Sequence, residues 1–186
     1  MEADWEFEVG GHAPVIDVYW PGFVDLRVDP ERAIDLAEAA QLPGLALALQ
    51  MLNSPASPVW TSKCDFWPAL EQEEFDIDEL AATSGSGAHA VGCFIDLLSK
   101  DDRAWELPAQ AEAECRRLRV ILTANPLRCC RIDLVIRRAV IAAGRMDLGI
   151  TAYITACGPT PPEAVLTLEA ALAAFADAVC PQSTLQ

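Results

Sequence analysis

Two long alternating runs separated by a short turn constrain the fold of this chain more than any other feature of its sequence. Residues 130–141 alternate around Ile132, and residues 147–157 alternate around Ile154. Because the side chains of a strand point alternately to its two faces, each run predicts a strand with one buried face. Gly144, between the runs, can supply the positive φ that a turn needs. The sequence therefore predicts a β-hairpin here.

A helix is predicted directly after this hairpin. Thr160 is a capping residue, Pro161 suits the first helical position, and Glu163 completes a capping box. The apolar positions that follow, up to about Val179, form a stripe wide enough to cover a sheet. We expect this helix to pack on the Ile132 side of the hairpin.

The remaining elements of the second half predict a particular order. Residues 88–98 alternate as a strand, and residues 108–124 carry a helical apolar stripe. Residues 88–180 therefore predict the order βαββα, which is that of a ferredoxin-like unit without its last strand. We expect an α+β fold, with an antiparallel sheet and helices packed mainly on one face.

The first half, residues 1–68, predicts the order ββαβ, and its last strand could extend the sheet. Residues 15–20 and 23–28 predict a tight hairpin around Pro21-Gly22, after a short alternating run at 5–9. Asp29 and the proline after it predict the start of a helix. An acidic stretch at 69–87, which we interpret as a solvated, mobile loop, separates the two halves.

Length and charge limit the classes of function. A chain of 186 residues predicts a single domain with a real core. The formal charge of −15 argues against nucleic acid as a partner, because non-specific binding to phosphates depends on Lys and Arg. No apolar run approaches the roughly 20 residues that span a membrane, and the acidic start does not resemble a signal peptide. We expect a cytoplasmic protein without a membrane partner.

Metal and cofactor motifs are absent from the sequence. It has only two histidines, His12 and His89, which are far apart, and no nucleotide-binding glycine motif. Its seven cysteines fit a reducing compartment. The adjacent Cys129 and Cys130 would point to opposite faces of a strand, which argues against a disulfide or a soft metal at that pair. We expect neither a metal nor a cofactor.

The first candidate site is the sheet face opposite the helices, which we expect to be open. Three interpretations fit its mixed side chains: a solvated face with Arg–Asp pairs, a subunit or second-layer interface, or a site where Arg binds a small polar or anionic ligand. The side chains expected on this face are Phe94, Asp96, Arg131, Asp133, Arg137, Thr151, Tyr153 and Thr155.

The second candidate is the strand segment 60–67. Trp60, Ser62, Cys64 and Phe66 are expected on one side of it, and Thr61, Lys63, Asp65 and Trp67 on the other. Lys63 could lower the pKa of Cys64 and create a reactive thiolate, although no histidine is near in the sequence to act as a base. The alternative is that the aromatic rings are core and that Lys63 and Asp65 form an ion pair. If the protein has a pocket, aromatic walls with a few polar groups favour this segment.

These observations favour a non-catalytic domain that binds a ligand or partner, or self-associates as a homo-oligomer, through the sheet face opposite the helices. The alternative is a small-molecule enzyme whose site joins the segment 60–67 to the arginine-bearing strand 130–141. In either case the expected site residues are Trp60, Lys63, Asp65, Arg131, Asp133, Arg137 and Tyr153.

Overall fold

The structure is a computed structural model that describes residues 1–8, 15–16, 23–70, 75–83, 85, 87–101, 103–141 and 145–180. The strands are β1 (Glu2–Phe7), β2 (Val15–Ile16), β3 (Val59–Trp67), β4 (His89–Ser99), β5 (Cys130–Ile141) and β6 (Arg145–Gly158). The helices are a 3₁₀ helix (Pro30–Asp35), α1 (Ala37–Gln41), α2 (Pro43–Asn53), α3 (Pro108–Thr123) and α4 (Pro161–Val179). The chain is thus α+β. Within the described ranges no helix is long and apolar enough to cross a membrane.

The strands form one mixed sheet in the order β1-β5-β6-β4-β3. The pairs β5–β6, β6–β4 and β4–β3 are antiparallel, whereas β1 and β2 both pair with β5 in parallel. The expectation of a purely antiparallel sheet is therefore wrong at this edge. Alternation gives the buried side of a strand and not its direction, and the long connection from β1 to β5 permits a parallel pair.

In the residues that the structure describes, the hairpin expected in the first half is absent. Strand β2 pairs with β5, and residues 23–28 contain a turn instead of a strand. In this turn Asp25 accepts hydrogen bonds at its side chain from the Arg27 amide (3.0 Å) and at its carbonyl from the Val28 amide (3.3 Å). An Asp side chain that bonds the backbone two residues on favours a turn over a strand. Pro21-Gly22 and Gly144, where turns are expected, lie outside the described residues.

The two expected helix starts differ in their capping. Asp29 caps the 3₁₀ helix, accepting a hydrogen bond of 3.2 Å from the Glu31 amide. At α4 the Thr160 hydroxyl instead donates to the Glu163 carboxylate over 2.6 Å, with no side-chain bond to the backbone of the first turn. Pro43 begins α2, as a proline at a first helical position can.

The helices cover one face of the sheet, which we call the helical face. Its core is a single apolar cluster that contains Ile132 and Ile154 from the sheet and Phe175 from α4, all fully buried. Residues of both halves of the chain enter this cluster, among them Leu45, Leu49, Ile95, Cys115, Leu118, Leu134, Ile150, Leu168 and Leu172. The helices therefore pack on the Ile132 side of the hairpin, as the sequence predicts.

The opposite side of the sheet, the second face, carries Phe94, Asp96, Val135, Thr151 and Tyr153. It was expected to be uncovered, but Thr151, Asp96 and Val135 are only 0%, 5% and 6% exposed. Beyond these residues, one end of the face is covered by part of the acidic stretch 69–87, whose side chains were expected to be solvated. Leu80 is buried there in an apolar cluster with Ala90 and Cys157.

Candidate functional site

A β-bulge in β3 shapes the candidate site. The register with β4 shifts between Thr61 and Cys64, so that the alternation before the bulge is out of phase with the alternation after it. As a result Trp60 lies on the second face with Asp65 and Trp67. The expectation that Trp60 shares a side with Cys64 is wrong, because a strict period of two cannot reveal a bulge.

A cleft of about 390 Å³ opens beside this bulge. Its polar lining is Glu38, Thr61, Ser62, Lys63 and Asp65, and its apolar lining is Phe23, Val24, Leu26, Leu36, Leu49, Cys64 and Phe94. The volume falls in the range of about 300–1,000 Å³ that small-molecule sites occupy. The aromatic walls come from phenylalanines and not from the tryptophans of β3.

A buried carboxyl, that of Asp96, lies near the cleft on the second face. It accepts a hydrogen bond of 2.5 Å from the Thr151 hydroxyl. Burial raises the pKa of Asp96, while the Thr151 hydrogen bond and the charges of Arg137 and Lys63 act in the opposite direction. A nearly buried acid with a perturbed pKa beside a cleft is a marker of functional sites, because burying a charge costs free energy that the fold alone does not require.

An aromatic cluster occupies the second face next to Asp96. The Trp67 and Tyr153 rings are stacked, with centroids 6.5 Å apart and planes 9° from parallel. Phe94 lies 5.8 Å from Trp67 and 6.0 Å from Tyr153. The Arg137 guanidinium is 5.8 Å from the Tyr153 ring and donates to its hydroxyl over 3.4 Å. The cluster therefore holds Arg137 in place on the sheet.

The two arginines proposed to bind an anion are engaged by carboxylates. Arg131 forms a fork with Asp133, with Nε 2.8 and 2.9 Å from the two carboxylate oxygens, and its Nη1 is 3.5 Å from Glu79. Arg137 Nε lies 2.9 Å from Glu8, although the geometry is not that of a hydrogen bond, and this buried N–H has no acceptor among the described residues. One of the three interpretations of this face was a solvated surface with Arg–Asp pairs. Such a pair is present on β5.

The Cys64 thiol does not have the character of a nucleophile. Burial raises its pKa to about 12, and the nearby acids Glu38, Asp65 and Asp96 add to the effect. The net effect of its surroundings is thus opposite to the lowered pKa that the hypothesis of a reactive Cys64 thiolate requires. A thiol of this kind is protonated at neutral pH.

The structure brings together four of the seven expected site residues. Lys63 and Asp65 line the cleft, and Arg137, held against Tyr153, acts with Lys63 on the same buried carboxyl of Asp96.

The other three expected residues lie apart from the cleft. Trp60 packs with Leu98 and Ala139 beneath the Arg27 guanidinium, which is 4.4 Å from its ring. The pair of Arg131 and Asp133 lies farther along β5, with Glu79 beside it.

Asp96 and its partner Thr151 were expected on this face, but sequence reasoning left them out of the site. A signal was present, because Asp96 is the one charged residue in the apolar run from Val91 to Leu98. Such an acid faces either solvent or a polar partner, and the alternation alone does not tell which.

Within the described parts of the chain, no group of three or more His, Cys, Asp or Glu side chains is placed to hold a metal ion. No protein-family model, curated protein or solved structure matches this chain.

Proposed function

We propose that this chain binds a small polar ligand in the cleft at the β3 bulge, and that binding, not catalysis, is its activity. The observation that carries the proposal is the lining of the cleft. Polar groups, including Ser62, Lys63 and Asp65, come from the bulged strand, and apolar groups such as Val24 and Leu36 come from the segment that precedes α2. Ligand sites combine an apolar wall with a few polar groups that fix orientation in this way.

The charges around the cleft favour a neutral or amine-bearing ligand over an anion. Among the described residues that line the cleft, Lys63 is the one cation, against the carboxylates of Glu38 and Asp65. The guanidinium groups of Arg131 and Arg137, on which the anionic ligand depended, are already beside carboxylates. The formal charge of −15 adds a field that repels anions from the whole molecule.

Native mass spectrometry of the untagged chain as purified tests this proposal, together with thermal shift against polar metabolites grouped by charge. A reproducible adduct, or stabilisation by neutral or amine-bearing compounds, is expected. Val24→Trp should fill the cleft and abolish the effect. The matched control is Val28→Trp in the same segment, at a side chain that is 81% exposed and outside the cleft, and it should retain binding. No adduct and no shift with any compound would refute the proposal, and stabilisation by anions alone would refute the charge argument.

Self-association as a homo-oligomer is the second candidate, supported by the incomplete burial of the ring cluster on the second face. Trp67, Phe94 and Tyr153 are all partly exposed, and apolar rings at a surface gain from further burial. Native spectra should then show a dimer without added mass, which Tyr153→Ala converts to a monomer. A wild-type monomer at all concentrations would exclude this candidate.

Three further expectations accompany the binding proposal. A ferredoxin-like arrangement of residues 88–180 is supported by the antiparallel neighbours β5, β6 and β4, with β3 beside β4 in place of a final strand. The single-domain expectation is supported by the shared core. A cytoplasmic location is supported by the seven cysteines, all described and all free.

A further inference from the structure

Two cysteines lie opposite each other where β5 begins and β6 ends. Cys130 pairs with Ala156 in the antiparallel ladder, so Cys129 faces Cys157 at the next position. The Cys157 amide donates to the Cys129 carbonyl over 2.8 Å. Their side chains share one apolar cluster on the second face, with Cys157 inside it and Cys129 packed against it. Residues opposite each other in an antiparallel ladder have Cα atoms roughly 4.5–5.5 Å apart, which is within the range that disulfides span.

The two thiols differ in access and in backbone conformation. Cys129 is partly exposed, whereas Cys157 is completely buried. Cys129 has a φ of 61°, a left-handed conformation that residues other than glycine rarely adopt. The ladder bond to Cys157 helps to hold this conformation, which keeps the Cys129 side chain with its neighbour. An oxidant from solvent would therefore meet Cys129 first, with Cys157 beside it.

We propose that Cys129 and Cys157 are an oxidisable pair that forms a reversible disulfide with a peroxide as oxidant. The Cys129 thiolate attacks one peroxide oxygen, the O–O bond breaks, and Cys129 becomes a sulfenic acid while the other oxygen leaves as hydroxide, or as water after taking up a proton. The Cys157 sulfur then attacks the Cys129 sulfur. The S–O bond breaks, and the departing hydroxyl takes the Cys157 proton and leaves as water. In total, two thiols and one hydrogen peroxide give one disulfide and two waters.

The division of roles between the thiols follows from their surroundings. Burial and the charge of the Cys129 thiolate raise the pKa of Cys157 to about 12, so Cys157 does not react with the peroxide itself and Cys129 is oxidised first. Oxidation of Cys129 removes that charge, which lowers the pKa of Cys157 and allows it to attack the sulfenic sulfur. Cys130, the alternative partner of Cys129, is fully buried in the core of the helical face. A bond between the adjacent residues would require Cys130 to leave that core.

The disulfide would lie beneath part of the acidic stretch. Leu80 is buried in the same cluster as Cys157, and Phe75 and Ala82 pack against it beside Cys129. A covalent link at this point would join the start of β5 to the end of β6, beneath the turns of the acidic stretch. The pair is separate from the cleft at the bulge, so the inference does not depend on the proposed ligand.

Treatment of the full chain with hydrogen peroxide, followed by alkylation in denaturant and peptide mapping without reductant, tests the proposal. The expected product has lost the mass of two hydrogens, contains a Cys129–Cys157 linked peptide within one chain, and reverts with a dithiol reductant. Cys129→Ser should abolish the link. Cys180→Ser is the matched control, because Cys180 is also partly exposed and lies elsewhere, on Ser57. This variant should form the link as the wild type does.

Three results of the wild-type map would overturn the proposal: a Cys129–Cys130 link, a link between chains, or oxidation of Cys129 that leaves Cys157 fully alkylated. This map needs no variant, so it decides the question even where Cys129→Ser fails to fold.

Discussion

The two faces of the sheet are built by different means. On the helical face, long periodic helices cover a continuous layer of aliphatic side chains, and Phe175 and Ile154 are fully buried there. The second face keeps a carboxyl, Asp96, buried and bonded to Thr151, and its cover at one end is a stretch of turns around Leu80. Buried polar groups cost free energy even when they are paired. We therefore expect the helical face to supply most of the stability, and we propose that the second face carries the polar groups of the candidate site.

The largest effect should come from the core of the helical face. Phe175→Ala removes a fully buried ring between α4 and the sheet, and it should lower the free energy of unfolding by about 3–5 kcal/mol. Urea denaturation measures this loss. Leu47→Ala is the control, because this side chain is 67% exposed, and its effect should stay within about 0.5 kcal/mol. Similar losses in the two variants would contradict the claim that the buried core of the helical face supplies the stability.

The next effect is the alkylation rate of Cys64 in the cleft, which tests the alternative that the protein is an enzyme. With a pKa of about 12, Cys64 should react with iodoacetamide roughly a hundredfold more slowly in the folded protein than in the unfolded chain at neutral pH. Cys129, also partly exposed, controls for access and should react faster than Cys64. Mass-spectrometric peptide mapping over time gives both rates. Preferential labelling of Cys64 would restore the nucleophile hypothesis and weaken the proposal of a binding site.

Most elements of the helical face could be predicted from the sequence. Strands β5 and β6 and helices α3 and α4 were expected near their observed limits, because each presents one periodic apolar side to the core. The direction of β1 could not be predicted, because alternation is the same in parallel and antiparallel strands. The turn at residues 23–28 was missed because alternation outweighed the local signal of Asp25.

The candidate site was harder to predict for a physical reason. Lys63 and Asp65 were found as a polar pair in an aromatic strand, and both line the cleft. The bulge that turns Trp60 to the other face depends on pairing with β4, which the strand's own sequence does not encode. The environment of buried Asp96 depends on neighbours that are distant in sequence, among them Thr151 and Arg137. Long-range contacts of this kind leave no local pattern to detect.

A smaller effect should appear in the pH dependence of stability, through Asp96 on the second face. Because the pKa of Asp96 is raised in the folded state, the folded protein binds its proton more tightly than the unfolded chain does. Its contribution is therefore most favourable below the unfolded pKa and is lost as the pH rises through the folded pKa. Asp96→Asn removes this dependence. The stability of the variant relative to the wild type should increase from acid to neutral pH, as measured by urea denaturation at a series of pH values.

Thr151→Val serves as the companion variant for Asp96. It removes the hydroxyl that donates to the carboxylate over 2.5 Å, so the pKa of Asp96 should rise further and stability should fall more steeply with pH than in the wild type. A relative stability of Asp96→Asn that decreases with pH would show that the carboxylate is stabilised by its neighbours. The second face would then resemble an ordinary network of ion pairs.

The smallest effect should be the coupling between Arg131 and Asp133. Burial raises the pKa of Asp133 despite the fork from Arg131, so the ion pair does not fully offset the loss of solvation. The side chains remain 25% and 38% exposed, where measured coupling is about 0.2–1 kcal/mol. A double-mutant cycle with Arg131→Met and Asp133→Asn should give a value in this range that decreases with added salt. A coupling of several kcal/mol that does not decrease with salt would mean that charges on the second face stabilise the fold strongly. The claim that the helical face supplies most of the stability would then be wrong.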